Sequence, residues 1–399
     1  MSWLEVPDQA PFGLAELPYG VFSSDGRTAQ IGVAVGDRVL DLAAVSRAAG
    51  RDPGVFEQPS LNAFLSRGPQ DWADTRSFLQ AILAEDSGRA LAEPHLLPLD
   101  QVKLHLPFEV ADYVDFYASE HHAGNVGRIF RPDGEPLTPN WKHMPIGYHG
   151  RAGTVVASGT DVVRPCGQLK APSDAAPSFG PSQKLDLEAE LGWVVGVGSS
   201  PGRAVPVAAF ADHVFGVVVL NDWSARDLQA WEYVPLGPFL GKNFATSISA
   251  WVLPLAALDD ARTPPPDRYP ELLPYLSGPS SGYDITVEVE INGRVVSRCP
   301  YAGMYYTPAQ MMAHLTVNGA TLRTGDLYGS GTISGPAAEQ RGSLLELSWN
   351  GSEPFDLGDG RSRTFLEDGD EVVLRAVSGG PAAARLGEVR GSILPAATG

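Results

Sequence analysis

The chain has 399 residues, with 29 Lys and Arg against 47 Asp and Glu, for a formal charge of −18. That length is ample for a substantial core in one large or two or three smaller domains, and the acidic balance lacks the basic stripe that nucleic-acid binding needs. Its 44 Gly and 34 Pro, about a fifth of the chain, fall short of low-complexity sequence, and 43% hydrophobic content describes a globular, turn-rich protein.

In chain order, residues 1–19 carry Glu5 and Glu16 where a leader would have basic residues and an apolar block. Strands are expected at 19–22, 29–35 and 38–42, with Gly36-Asp37 as a tight turn. Helical patterns follow at 42–49, 61–65 and 70–83. Residues 85–107 lose periodicity and read as the connection between a small domain, 1–107, and a large one, 108–399. The large part is mostly β, with strands expected at 154–157, 186–197, 214–221, 285–291, 295–299, 344–349 and 371–376. Asn292-Gly293 marks a type I′ hairpin. Thr307-Pro308 opens a helix with Met311, Met312 and Leu315 inward. Strands do not alternate with long helices, so the fold class is α+β, mainly β, rather than a doubly wound sheet. The longest apolar runs, 214–220 and 251–258, are far below the ~20 residues of a membrane span. Cys166 and Cys299 read as buried, inert thiols of a reducing, cytoplasmic compartment.

Four segments could carry chemistry. In 184–191 (KLDLEAEL), the strand period puts Asp186, Glu188 and Glu190 on one face and Leu187, Ala189 and Leu191 on the other. Such a face is either solvated or covered by a cation, and oxygen ligands would select Mg²⁺ or Ca²⁺ over zinc. In 214–233, a buried strand runs into a short helix near Ser224. Asp222, Arg226, Gln229 and Tyr233 then form one stripe, a solvated face or a site wall. Lys242 and Thr246 follow in a Gly-rich loop whose spacing is wrong for phosphate binding. In 112–123, a helix would align Asp115, Ser119 and His122 and turn His121 aside. In 344–349, Glu346 is an acid within an apolar strand and needs a partner if buried; a histidine would satisfy both. Gly198-Ser199-Ser200-Pro201-Gly202 mimics a nucleophile elbow, but Pro201 has no N–H for an oxyanion hole, so it is a turn.

Together these segments resemble the fumarylacetoacetase family. The resemblance rests on Asp115-Phe116-Tyr117 with His122 and Asn125-Val126-Gly127, on Pro139-Asn140-Trp141, and on the run from Pro145 to Arg151. It continues through 185–190, 221–242, 330–335 and 344–349. It implies an SH3-like N-terminal domain, a β-roll C-terminal domain and a homodimer. It also implies Ca²⁺ or Mg²⁺ held by Asp115, Glu188, Glu190 and Asp222, with Lys242 and Thr246 beside them. His122 oriented by Glu346 would be the base, aided by Arg226, Gln229 and Lys242. Tyr117, Arg131, Tyr148, Gln229, Tyr233 and Thr332 would contact substrate. Glu120-His121 departs from the basic or amide pair of relatives.

The reaction implied is hydrolysis of the C–C bond of 4-fumarylacetoacetate to fumarate and acetoacetate, the last step of tyrosine and phenylalanine breakdown. The alternatives are a hydrolase or decarboxylase of acylpyruvates or other 2,4-dioxo acids and, more remotely, a cation-stabilised binding module. The charge count suits an acidic β-diketone, because a divalent cation, Arg226 and Lys242 balance four carboxylates.

Overall fold

A computed structural model describes residues 3–7, 10–24, 26, 28–358, 360–380 and 383–397. The outermost positions of both predicted domains, 1–2 and 398–399, lie outside it. The architecture is mixed α and β and mainly sheet. A 13-stranded sheet runs through the molecule, and a five-stranded sheet packs beside it. Among the described residues no helix is long and apolar enough to cross a membrane.

The first strands, Tyr19–Ser23, Gln30–Val35 and Arg38–Asp41, form an antiparallel meander. Tyr19–Ser23 also pairs with Trp251–Pro254, which joins the meander to the larger sheet. Residues 85–107, expected as an irregular connection, contribute two short strands. Leu96–Pro98 pairs with Arg38–Asp41, and Lys103–His105 with Tyr19–Ser23. Three-residue strands are too short to show a period, which is why the pattern there looked irregular.

Val214–Asp222 is buried along its whole length. Val217 and Val219 enter one core, while Val218 and Leu220 enter another. With both faces covered, such a strand loses the usual polar alternation. Its antiparallel neighbour, Ala189–Val195, sends Ala189, Leu191, Trp193 and Val195 into the first core. The Asn292-Gly293 turn has positive φ at both residues, 51° and 81°, as its type demands. Thr307 caps helix Pro308–Thr316 in a full capping box with Gln310, and Met311 and Met312 are buried.

Four expectations change. The strand expected over 186–197 is interrupted, with Leu185–Asp186 and Ala189–Val195 separated by Leu187 and Glu188. Asp115 lies on strand Tyr113–Phe116, not on a helix; the helix begins at Glu120, after Ser119 accepts the His122 N–H as N-cap. Glu346 lies on helix Leu344–Leu347 rather than a strand, because Ser343 caps it through the Glu346 N–H. Cys166 is exposed, and only Cys299 is buried. Ser199 of the false elbow accepts the Leu322 N–H at 2.8 Å, a structural duty.

Candidate active site

Strand register brings the acids together. Gly329 lies opposite Asp115 on one side and Gly192 on the other, and Ala189 lies opposite Asn221. Asp115, Glu190 and Asp222 therefore converge at neighbouring strand ends, and Glu188 reaches in from the interruption. One oxygen from each of Asp115, Glu188, Glu190 and Asp222 lies within 4.8 Å of the others, and all four residues are buried. A Cβ on Gly329 would stand 2.7 Å from Asp115 Oδ1 and 2.8 Å from Glu190 Oε2, so glycine is needed there for space.

Two cations face the four acids. Lys242 Nζ donates to Glu188 and, at 2.7 Å, to Asp222 Oδ2. Arg226 donates through Nη2 to Glu188 at 2.7 Å, through Nε to Asp186 at 2.8 Å, and through Nη1 to Gln229 Oε1 at 3.2 Å. Asp186, a fifth buried acid, also accepts the N–H groups of Leu344 and Leu345. It thereby ties the Glu346 helix to the Arg226 clamp. Tyr148 Oη donates to Asp222 at 2.9 Å and Thr246 Oγ1 to its other oxygen at 3.2 Å.

The protein's own donors leave the cluster unfinished. Two like charges ~5 Å apart repel by about 3 kcal/mol at an effective dielectric of 20. Burial and the neighbouring carboxylates hold the Asp115 and Glu190 pKa values well above the carboxylate range. Burial also raises Asp222, against the pull of Lys242. Burial would raise Glu188 too, but Lys242 and Arg226 outweigh it and hold it well below the usual range. Asp115 Oδ1 and Glu190 Oε1 are buried without any hydrogen-bond partner. Burying unpaired acceptors is costly, and an oxygen-only donor set with two unused acceptors fits a hard cation. The four acids could hold a metal ion.

Beside them stands a His–Glu pair. His122 Nδ1 and Glu346 Oε2 are 2.7 Å apart, and His122 Nε2 points toward Glu188 Oε1 at 4.0 Å. Glu346 also accepts from Ser334 and Ser343 at Oε2 and from Asn125 at Oε1. Burial would raise Glu346, but His122 and these donors outweigh it and lower its pKa. Tyr117 packs edge-on against the His122 ring at 5.3 Å. Thr332 is buried nearby in sequence to Gly331, whose N–H binds Glu190, and the Thr332 hydroxyl has no partner.

Other predicted residues lie at the margin. Tyr233 is 46% exposed, and Arg131 is exposed, donating to the Pro136 carbonyl at 2.9 Å. His121 is exposed while His122 is buried. Asn125, Ser334 and Ser343 had no assigned role in the sequence reading. Ser343-x-x-Glu346 has the spacing of a capping box and could have revealed the Glu346 helix.

Residues 15–107 match the fumarylacetoacetase N-terminal family and residues 112–393 the fumarylacetoacetate (FAA) hydrolase C-terminal family. The chain belongs to the fumarylacetoacetate hydrolase family. Fumarylacetoacetase of Homo sapiens is 43% identical over 99% of each chain, and that of Arabidopsis thaliana 45% over 95% of this chain and 94% of its own. Fumarylacetoacetate hydrolase from psychrophilic Exiguobacterium antarcticum shares the fold at a TM-score of 0.57 and 19% identity, covering 95% of this chain and 99% of that one.

Proposed function

We infer that the protein hydrolyses 4-fumarylacetoacetate to fumarate and acetoacetate, which closes tyrosine and phenylalanine breakdown. The observation that carries this reading is full-length similarity to fumarylacetoacetases, joined to a buried acid cluster beside a buried His–Glu pair.

Asp115, Glu188, Glu190 and Asp222 are proposed to hold Ca²⁺ or Mg²⁺, with Lys242 and Thr246 bracing Asp222. Such a cation supplies Lewis-acid polarisation of the diketone oxygens. His122 gives its Nδ1 proton to the bond with Glu346, so Nε2 keeps its lone pair and takes a proton from water. The water oxygen bonds to the carbonyl carbon next to the fumaryl group. Gln229, whose Oε1 is occupied by Arg226, has amide N–H groups left for the resulting oxyanion, and Lys242 has one N–H left. Arg226 orients Glu188 and Gln229 for this role. On collapse the C–C bond breaks, its electron pair leaves with the acetoacetate enolate, and the proton on His122 quenches that enolate. Tyr117, Tyr148, Thr332, Tyr233 and Arg131 line the way in, and Arg131 meets the substrate carboxylate.

Residues 1–107 are proposed as an SH3-like domain and 108–399 as a β-roll domain. The two family matches, which meet between 107 and 112, support that division. We also propose a cytoplasmic homodimer. Two unpaired cysteines suit a reducing compartment. Val234, Leu236, Phe239 and Leu240, exposed beside Tyr233, offer an apolar surface for a second copy.

An absorbance assay of diketone loss tests the reading, run on fumarylacetoacetate and on acylpyruvates, with chelator and cation add-back. Cation-restored turnover that favours fumarylacetoacetate is expected. Preference for an acylpyruvate would move the protein to the related 2,4-dioxo acid hydrolases, and no turnover of any 1,3-diketone would leave a binding module.

A further inference from the structure

A cavity of about 220 Å³ lies between helix Pro69–Ala84 and the segments 211–215 and 254–262. Its walls are apolar and aromatic, with Trp72 edge-on to Phe215 at 5.2 Å, Tyr19 against the same ring at 5.4 Å, and Leu255 completing the lining. The Trp72 indole N–H is held by the Leu65 carbonyl at 3.1 Å, so this wall is fixed.

The polar groups of the cavity are unevenly satisfied. Asp259 and Arg262 neutralise one another at 2.8 Å. Arg76 has no such partner: its guanidinium donates only to the carbonyls of Ala15 and Glu16, one N–H from each terminal nitrogen. Tyr19 is 1% exposed, and its hydroxyl has no hydrogen-bond partner. The two groups feel each other. Burial makes the Arg76 proton easier to lose and the Tyr19 proton harder; the two charges pull each other back, and Asp259 and Glu16 also help to hold the proton on Arg76. A guanidinium with spare N–H groups, lining an aromatic pocket, suits an anion with an apolar body.

We propose that this cavity binds a small monocarboxylate with a compact, planar apolar body. Arg76 receives the carboxylate, and the body lodges against Trp72, Phe215 and Leu255. Asp259 pairs with Arg262, and the Asp259 and Glu16 charges act on Arg76 without an ion-pair contact, so the guanidinium has room for one carboxylate in direct contact. The size sets about a ring and its carboxylate, because the cavity is smaller than the ~300 Å³ at which pockets for drug-sized ligands begin. The site is separate from the acid cluster. Phe215 and Asp222 lie near opposite ends of Val214–Asp222, so at ~3.3 Å per residue about 23 Å of strand divides them. A ligand there would join Tyr19, Trp72 and Arg76 to Phe215 and Leu255, and so strap the N-terminal elements to the strand that ends in Asp222.

Benzoate is the probe. Calorimetric titration of the full chain, with and without chelator, should give one-site binding with Kd on the order of 1 mM, the scale for so few atoms. Arg76→Gln should weaken it at least about tenfold, the scale of one charge-assisted contact. Ala73→Leu, at an exposed position on the cavity wall, should abolish binding by filling space. Benzyl alcohol, which has the ring without the charge, should not bind. Both variants should keep diketone turnover, so a failed proposal here and a failed reading of the active site give different results. If Arg76→Gln does not fold, Ala73→Leu decides alone. Absence of saturable heat up to about 20 mM benzoate, unchanged affinity in Ala73→Leu, or competition with the diketone substrate would overturn the proposal.

Discussion

Glu346 and Glu190 are both fully buried carboxylates, yet the protein treats them in opposite ways. Glu346 accepts four hydrogen bonds from side chains, those of His122, Asn125, Ser334 and Ser343, and its pKa falls below the usual range despite its burial. Glu190 accepts the Gly331 N–H at one oxygen and nothing at the other; its pKa rises, through burial first and neighbouring acids second. On the proposed reading, a carboxylate finished by protein donors is part of the frame that orients the base. One left unfinished could take a metal ion. Burial alone does not distinguish these cases, but the count of donors does.

The largest effect that can test this contrast is at His122, the proposed base. His122→Ala should lower kcat by about 10²–10⁴ while cation affinity stays unchanged. Glu346→Gln should also lower kcat, and the double variant should lose far less than the product of the two, because the pair acts as one unit. Multiplicative losses in steady-state kinetics would separate Glu346 from His122.

On the unfinished side, Glu190→Gln should weaken cation binding by about 10–100-fold, the scale lost even for residues one step removed from a metal. Calorimetry measures this, and equal affinity would remove Glu190 from the cluster's role. Cation at about 100 times its Kd should stabilise the parent by ~2.7 kcal/mol. In thermal melts the variant should show a smaller gain at the same cation concentration.

A smaller effect is expected at Asn125, the partner of Glu346 Oε1. Asn125→Ala should lower kcat about tenfold with KM nearly unchanged, since one hydrogen bond to a charged group is worth roughly 1.5–3 kcal/mol. A rise in KM alone would give Asn125 a part in substrate binding instead. The same environment fixes a pH sign. Glu346 has a lowered pKa in the fold, so its stabilisation is complete above the unfolded glutamate pKa of ~4.3 and is lost as pH falls through the folded value. Denaturant titrations should show parent and Glu346→Gln converging below about pH 4. A gap that stays constant with pH would mean the stabilisation does not depend on charge.

At the rim the effects should be selective or absent. Arg131→Met should lower kcat/KM for acidic diketones more than for neutral ones, and an equal drop would make Arg131 structural. His121→Ala should cost little, since that ring is exposed beside its buried neighbour.

The contrast also explains what the sequence could and could not show. The alternation of Leu187, Ala189 and Leu191 with three acids was legible, and the apolar set does enter the core. That the acids are buried was not, because it depends on what covers the other face of the sheet. Asp115 and Glu346 were read into the wrong elements because each lies on a segment of four residues, too short for a period to register. Three of the four donors to Glu346, His122, Asn125 and Ser334, come from segments brought together by folding, and no local pattern names them; only Ser343, three residues before it, lies in a recognisable local spacing. The Asn-Gly hairpin and the Thr307 cap were legible because their chemistry is local.

Gly329 shows how narrowly such a site tolerates change. The space its absent side chain leaves, against Asp115 Oδ1 and Glu190 Oε2, is the same space the unfinished acids need open. A chain can fail there without losing any functional group, because the one added carbon of Gly329→Ala would press on both acids at once. Inventories of active residues would score that substitution as harmless, since every acid, base and donor remains in place. For inherited or engineered variants of this protein, the risk at position 329 lies in gaining an atom.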